Sequence, residues 1–151
     1  MSRMIRLFLT LCLLTTLATL ASGDGTATTN RRARKKIILD KNFVLSVGQE
    51  MLTADGKLKI KFVSVPEDSR CPKGVNCIWA GNARIVLQVS QTGGKFVMLE
   101  LNTNPREASD AAEGAFGLYQ LKLVEVAPYP VDGQTIAPRS YTATLFVSKK
   151  S

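Results

Sequence analysis

The chain of 151 residues is long enough for one domain with a real core, and it carries 20 Lys and Arg against 12 Asp and Glu, a formal net charge of +8 at pH 7. It holds no histidine, so the commonest general base and the commonest metal ligand are both missing. That composition argues against zinc and against nucleophiles activated by an imidazole.

The first residues read as a targeting segment. Arg3 and Arg6 give a positive start, residues 7–20 are almost wholly apolar, and Ala21, Ser22 and Gly23 are small. This is the order of a secretory signal peptide, and the apolar run falls short of the roughly 20 residues that a membrane-spanning helix needs. Cleavage is expected near Ala21 or Gly23, which removes residues 1–23 and leaves no transmembrane segment. Cys12 lies inside the apolar run behind Leu11, the wrong context for a lipid-bearing cysteine, and is discarded with the leader. The mature protein is then expected in the periplasm or outside the cell. There the pair Cys71 and Cys77 is read first as a disulfide.

Residues 24–36 contain no large apolar side chain and should form a flexible arm. Arg31, Arg32, Arg34, Lys35 and Lys36 crowd into its end, a run able to meet an anionic envelope surface. The arm lacks interleaved aromatic residues for base stacking, and export removes the opportunity, so nucleic acid is not an expected partner. The run is also a target for trypsin-like proteases.

Residues 37–151 read as a single β domain. Residues 42–47, with an extension through 50–53, supply a first edge. In residues 57–65, Leu58, Ile60 and Phe62 point one way and three lysines the other, the period of a half-buried strand. Residues 84–90 repeat the scheme with Ile85, Leu87 and Val89. Gln91-Thr92-Gly93-Gly94 then turns the chain into a hairpin with residues 95–101. Residues 118–126 alternate through Tyr119, Leu121 and Leu123, and residues 141–147 through Tyr141, Ala143, Leu145 and Val147. Six to seven short strands without a long helical period predict an antiparallel β-sandwich or small open barrel. Between Asn102 and Gly117 the strand pattern stops. Asn104-Pro105 resembles a helix start, Gly114 a stop, and Ala108, Ala111, Ala112 and Ala115 fall at helical spacing, so a short helix around 105–113, or a loop, is expected.

The segment from Glu67 to Ala83 differs from its surroundings. Cys71 and Cys77, with Pro72 and Gly74 between them, can close a tight ring between two strands, and such a constraint is worth about 2 kcal/mol in the chain-entropy picture. Trp79, two residues beyond Cys77, is expected to pack over the disulfide. Asp68, Arg70, Lys73, Trp79 and Asn82 are the candidate binding residues, a carboxylate, cations, an amide and an indole on one rigid loop. The alternative reading is structural. Asp68 or Ser69 would cap the turn, and Arg70 would pair with Asp68 or cover Trp79.

The run from Asp68 to Ala83, DSRCPKGVNCIWAGNA, resembles the signature block of a family of small exported bacterial β-sandwich proteins. The later Pro128-Tyr129-Pro130 and the final Tyr-led strand fit the same family. The resemblance implies an envelope or secreted location and carries over no activity. Many such relatives are lipoproteins, and this chain departs from them in lacking a usable lipobox.

Other chemistry finds little footing. No D-x-D-x-D-G loop offers calcium ligands, and without a Gly-rich phosphate loop no cofactor is expected. The cysteine spacing is not C-x-x-C. Glu67, Asp68, Glu100 and Glu125 are the carboxylates that could pair in space. The function expected is therefore non-enzymatic binding of a protein or envelope polymer through the disulfide loop, with the basic arm adding attraction. A periplasmic hydrolase or thiol-redox enzyme is the alternative.

Overall fold

The computed structural model describes residues 35–105 and 111–150. The expected leader, Arg31, Arg32 and Arg34, and residues 106–110 lie outside the described residues.

Strand-forming alternation is realised along the whole domain as β1 (Asn42–Ser46), β2 (Glu50–Leu52), β3 (Leu58–Asp68), β4 (Ala83–Gln91), β5 (Phe96–Asn102), β6 (Glu113–Phe116), β7 (Tyr119–Ala127) and β8 (Thr142–Lys149). They make two four-stranded antiparallel sheets, ordered β1-β8-β7-β6 and β2-β3-β4-β5. The all-β sandwich anticipated from the sequence is the fold. The first edge, however, divides: β1 borders one sheet and β2 the other.

The inward rows are those read from the alternation. Leu58, Ile60 and Phe62 of β3 face Ile85, Leu87 and Val89 of β4 in the same sheet, and Leu121, Leu145 and Val147 close the layer from the opposite sheet. Each such side chain contributes about 1.5–3 kcal/mol on leaving water. In β7, however, register shifts between Leu123 and Glu125, and Val126 rather than Glu125 enters the core.

One strand has no counterpart in the sequence pattern. Gly114, expected as a helix stop, lies inside β6, and Glu113 pairs with Lys122. The reason is steric: a Cβ on Gly114 would lie 2.6 Å from Leu99 Cδ1, so the missing side chain lets this short edge strand pass over β5. The expected helix is thus replaced by strand at its C-terminal end, and residues 106–110 lie outside the described residues. The one helical turn among the described residues is the 3-10 segment Pro138–Ser140. No helix among them is long and apolar enough to cross a membrane.

Two register shifts in β3 set up the candidate site. Between Phe62 and Asp68 the strand runs opposite Leu87 to Ala83, with one shift after Phe62 and a second after Ser64. Each extra residue reverses the facing of the residues beyond it, and two restore it. Asp68 therefore points inward opposite buried Ala83, while Glu67 points outward opposite Arg84.

The connections segregate to two ends of the sandwich. At one end, called the loop end, lie the segments 69–82, 103–112 and 128–141. At the other, the turn end, lie the turns at 53–57, 91–95 and 117–118, the start of β1 and the end of β8. β3 spans from one end to the other, about 30 Å at 3.3 Å per residue.

Candidate functional site

The segment between β3 and β4 leaves the sheet at Asp68 and rejoins it at Ala83, and its two legs stay close. Ser69 N–H donates to Asn82 O at 2.7 Å and Cys71 N–H to Ala80 O at 2.9 Å. Gly81 permits this. It has φ +70°, and a Cβ there would sit 1.8 Å from the Ser69 carbonyl oxygen; no other residue fits. Beyond the legs, Cys71 and Cys77 are joined in a disulfide with Cα atoms 5.9 Å apart.

Arg70 anchors the loop to the domain. Its side chain is 6% exposed and that of Asp68 8%. Arg70 Nε donates to Asp68 Oδ1 at 2.7 Å and Nη2 to Oδ2 at 2.6 Å. The remaining donors reach Val126 O and, at 2.9 Å, Pro128 O, so one guanidinium ties β3, the loop and the end of β7 together. Tyr141 OH donates to Asp68 Oδ2 at 3.0 Å. Burial alone would raise the Asp68 pKa, but the hydrogen bonds and charge of Arg70 and the Tyr141 hydroxyl outweigh it and hold the carboxyl below its ordinary value. Burial, and then the Asp68 carboxylate, push the Tyr141 hydroxyl up. A carboxylate held ionised and doubly occupied is poorly placed to donate or accept protons in a reaction.

The loop is braced from outside as well. Lys73 N–H donates to Pro130 O at 2.9 Å, and Asp132 N–H to Lys73 O at 3.2 Å, which stitches the ring to residues 128–133. The Tyr129 ring takes the Arg70 guanidinium at 4.9 Å and the Lys73 ammonium at 5.8 Å from its centroid, within cation–π range.

Of the five candidate binding residues, the fold brings Asp68 and Arg70 together in the interior, so the pairing alternative holds for them. Asn82 is also structural: its Nδ2 donates to Asn102 Oδ1 at 2.7 Å, and its Oδ1 accepts from Thr103 Oγ1 and Asn104 N–H. Lys73 is exposed on the ring. Trp79 departs from expectation, since its indole is 71% exposed rather than buried. The expected facing assumed a strand at Cys77–Trp79, but pairing resumes only at Ala83, and in an irregular loop the period of two does not apply.

The residues missed by the sequence reading are apolar ones. Ile78 is 91% exposed, and Val75, Tyr129 and Val131 also reach solvent. Nothing in the residue types of the loop reveals that Ile78 is turned to solvent. Together the ring tip and the 128–133 loop carry an apolar, aromatic surface on a cross-braced frame. Beside it an open groove of about 500 Å³ runs between residues 68–72 and 130–136, with Asp68, Arg70 and Tyr141 on its floor.

Of the carboxylates considered for acid–base work, Asp68 is taken up by Arg70 and Tyr141, and Glu125 lies exposed on β7. Glu67 and Glu100 flank Arg84 on the outer face of the sheet, at 3.8 and 2.9 Å. Among the described residues no three of Cys, Asp and Glu gather closely enough to hold a metal ion. Lys35 and Lys36 are exposed beside β2 and precede Ile37, which bridges Thr53 at the turn end. The arm thus enters the domain remote from the disulfide loop. No protein-family model matches the chain, and no curated protein or solved structure matches it.

Proposed function

We propose that the protein is a non-enzymatic exported binding module, whose disulfide-braced loop presents Ile78 and Trp79 to another protein. The observation that carries this reading is the exposure of these two large apolar side chains on a backbone held by the disulfide, the Arg70 anchor and the Lys73 stitch. An apolar pair on a flexible tip would lose entropy on binding; a pair already fixed in place loses little. Tryptophan and tyrosine are also the side chains that most often dominate protein interfaces. Export is supported by the leader and by the disulfide, which persists in an oxidising compartment.

The test compares capture from the cell envelope by the native protein, by Ile78→Asp and by Trp79→Ala, with each captured partner then purified and titrated. The reading requires a partner retained at high salt whose affinity falls about thirtyfold or more with either tip variant. Both variants should keep the thermal midpoint of the parent, because exposed substitutions rarely shift stability by more than about 0.5 kcal/mol. Partners captured equally by parent and tip variants would defeat it, as would retention only of a polysaccharide. N-terminal sequencing of the envelope form tests export directly, with Ser22 or Asp24 as the expected first residue.

A further inference from the structure

The turn end of the sandwich carries most of the domain's unbalanced charge. Lys41, Lys57, Lys95, Lys149 and Lys150 are all exposed there, against Asp40 and Asp55. Asp55 is already occupied, by Thr53, by the Lys57 backbone N–H, by Tyr119 OH at 3.2 Å and by Lys149 at 3.7 Å. Elsewhere among the described residues, Asp68–Arg70, Glu50–Lys59, Glu113–Lys122 and Glu67–Arg84–Glu100 are paired, while Lys61, Lys73 and Arg139 are offset in number by Glu125 and Asp132 and by the second carboxylate on Arg84, leaving Lys35 and Lys36 as the excess. No described acidic side chain pairs with Lys41, Lys57, Lys95 or Lys150.

These lysines sit on a rigid plate. Thr92 N–H donates to Lys57 O at 3.1 Å, and Thr92 Oγ1 to Gly56 O. Lys150 N–H donates to Leu118 O, and Asp40 N–H to Val147 O, both at 2.8 Å. The same end exposes apolar side chains: Leu118, 70% exposed at the tip of the β6–β7 turn, Phe96 at 58% next to Lys95 in the chain, and Ile38 at 54%.

We infer that the turn end docks on a bilayer bearing anionic lipid headgroups, with the lysines against the phosphates and Leu118 and Phe96 entering the interface. Charge complementarity selects an anionic surface. The exposed apolar side chains favour lipid over a soluble polyanion, since an interface accepts isolated protruding hydrophobic groups without needing a matching pocket. The geometry then projects the disulfide loop about 30 Å away from the membrane, along the length of β3. The inference rests on the turn end alone and is independent of what the loop binds.

The chain's single tryptophan, Trp79, lies at the far end and makes the test selective. The protein is mixed with vesicles of phosphatidylcholine, alone or with one-third phosphatidylglycerol, at low and physiological salt. Expected are binding to the anionic vesicles only, weakening with salt, and Trp79 emission that brominated lipid does not quench. Lys57→Gln/Lys95→Gln/Lys150→Gln should lose roughly a hundredfold in affinity, about fivefold per lysine near an anionic surface, with an unchanged thermal midpoint. In a Trp79→Phe/Leu118→Trp protein the relocated indole should shift to the blue and be quenched. Quenching of native Trp79 would overturn the inference, because the loop end would then be the contact. So would a triple lysine variant that binds as the parent does while Arg31→Gln/Arg32→Gln/Arg34→Gln abolishes binding. Capture of dextran sulfate without capture of vesicles would also overturn it.

Discussion

Replacing Asp68 by Ala tests whether the loop hangs on a buried ion pair. Asp68 receives two bonds from the Arg70 guanidinium and one from Tyr141, and the two charged side chains are 8% and 6% exposed. Truncating the carboxylate strands a buried guanidinium whose remaining partners are the Val126 and Pro128 carbonyls. Breaking one half of such a pair costs about 3–5 kcal/mol, a large share of the roughly 5–15 kcal/mol of a typical domain. Arg70→Met leaves the opposite orphan, a buried carboxylate, at similar cost. Asp68→Ala/Arg70→Met removes both charges. It loses only the bonds to two carbonyls and the Tyr141 acceptor, about 1 kcal/mol each. The double variant should therefore be no less stable than either single one, a strongly non-additive cycle. Urea unfolding followed by far-ultraviolet circular dichroism measures all four proteins. An Asp68→Ala cost below about 1 kcal/mol, or a double variant as weak as the two single effects combined, would refute the reasoning.

Other perturbations address the frame around this pair. Gly81→Ala places a Cβ on the Ser69 carbonyl at positive φ, and the expected loss of at least about 2 kcal/mol should appear as a thermal midpoint lowered by roughly 8 °C. Cys71→Ala/Cys77→Ala should cost about 2 kcal/mol in urea because the closed ring is short, while the sheets, which do not depend on it, keep their circular dichroism. The acid limb is set partly by Asp68, whose pKa is lowered in the folded state. Its contribution is complete above the unfolded value near 4 and is lost as pH falls through the folded value. The urea midpoint should therefore drop below about pH 4, and Asp68→Asn should flatten that part of the profile.

The amino-acid sequence by itself determined the sandwich, its inward rows and its one disulfide. The alternation in residues 57–65, 84–90 and 141–147 is a local property, because successive side chains of any extended strand face opposite ways, and burial follows from which of them are apolar. Two cysteines six apart need no distant element to meet. Where a distant segment decides the outcome, the local pattern is incomplete. The segment around 105–113 reads as a short helix or a loop, with Gly114 as its stop, because alanine and glycine carry no facing of their own, and only the approach of β6 over Leu99 makes residues 113–116 strand. Val126 enters the core through a shift in pairing that the β7 sequence does not display. The pairing of Asp68 with Arg70 is open to a sequence reading because the two are near neighbours in the chain, but the carbonyls of residues 126 and 128 that complete the guanidinium's closure lie far along it. Trp79 is expected over the disulfide because large aromatic side chains are usually packed. The close approach at Gly81 and the return of the strand only at Ala83 leave it, with Ile78, in an irregular loop exposed to solvent. The lysines of the turn end are scattered from residue 41 to residue 150 and become one surface only because antiparallel strands return their alternate connections to the same end.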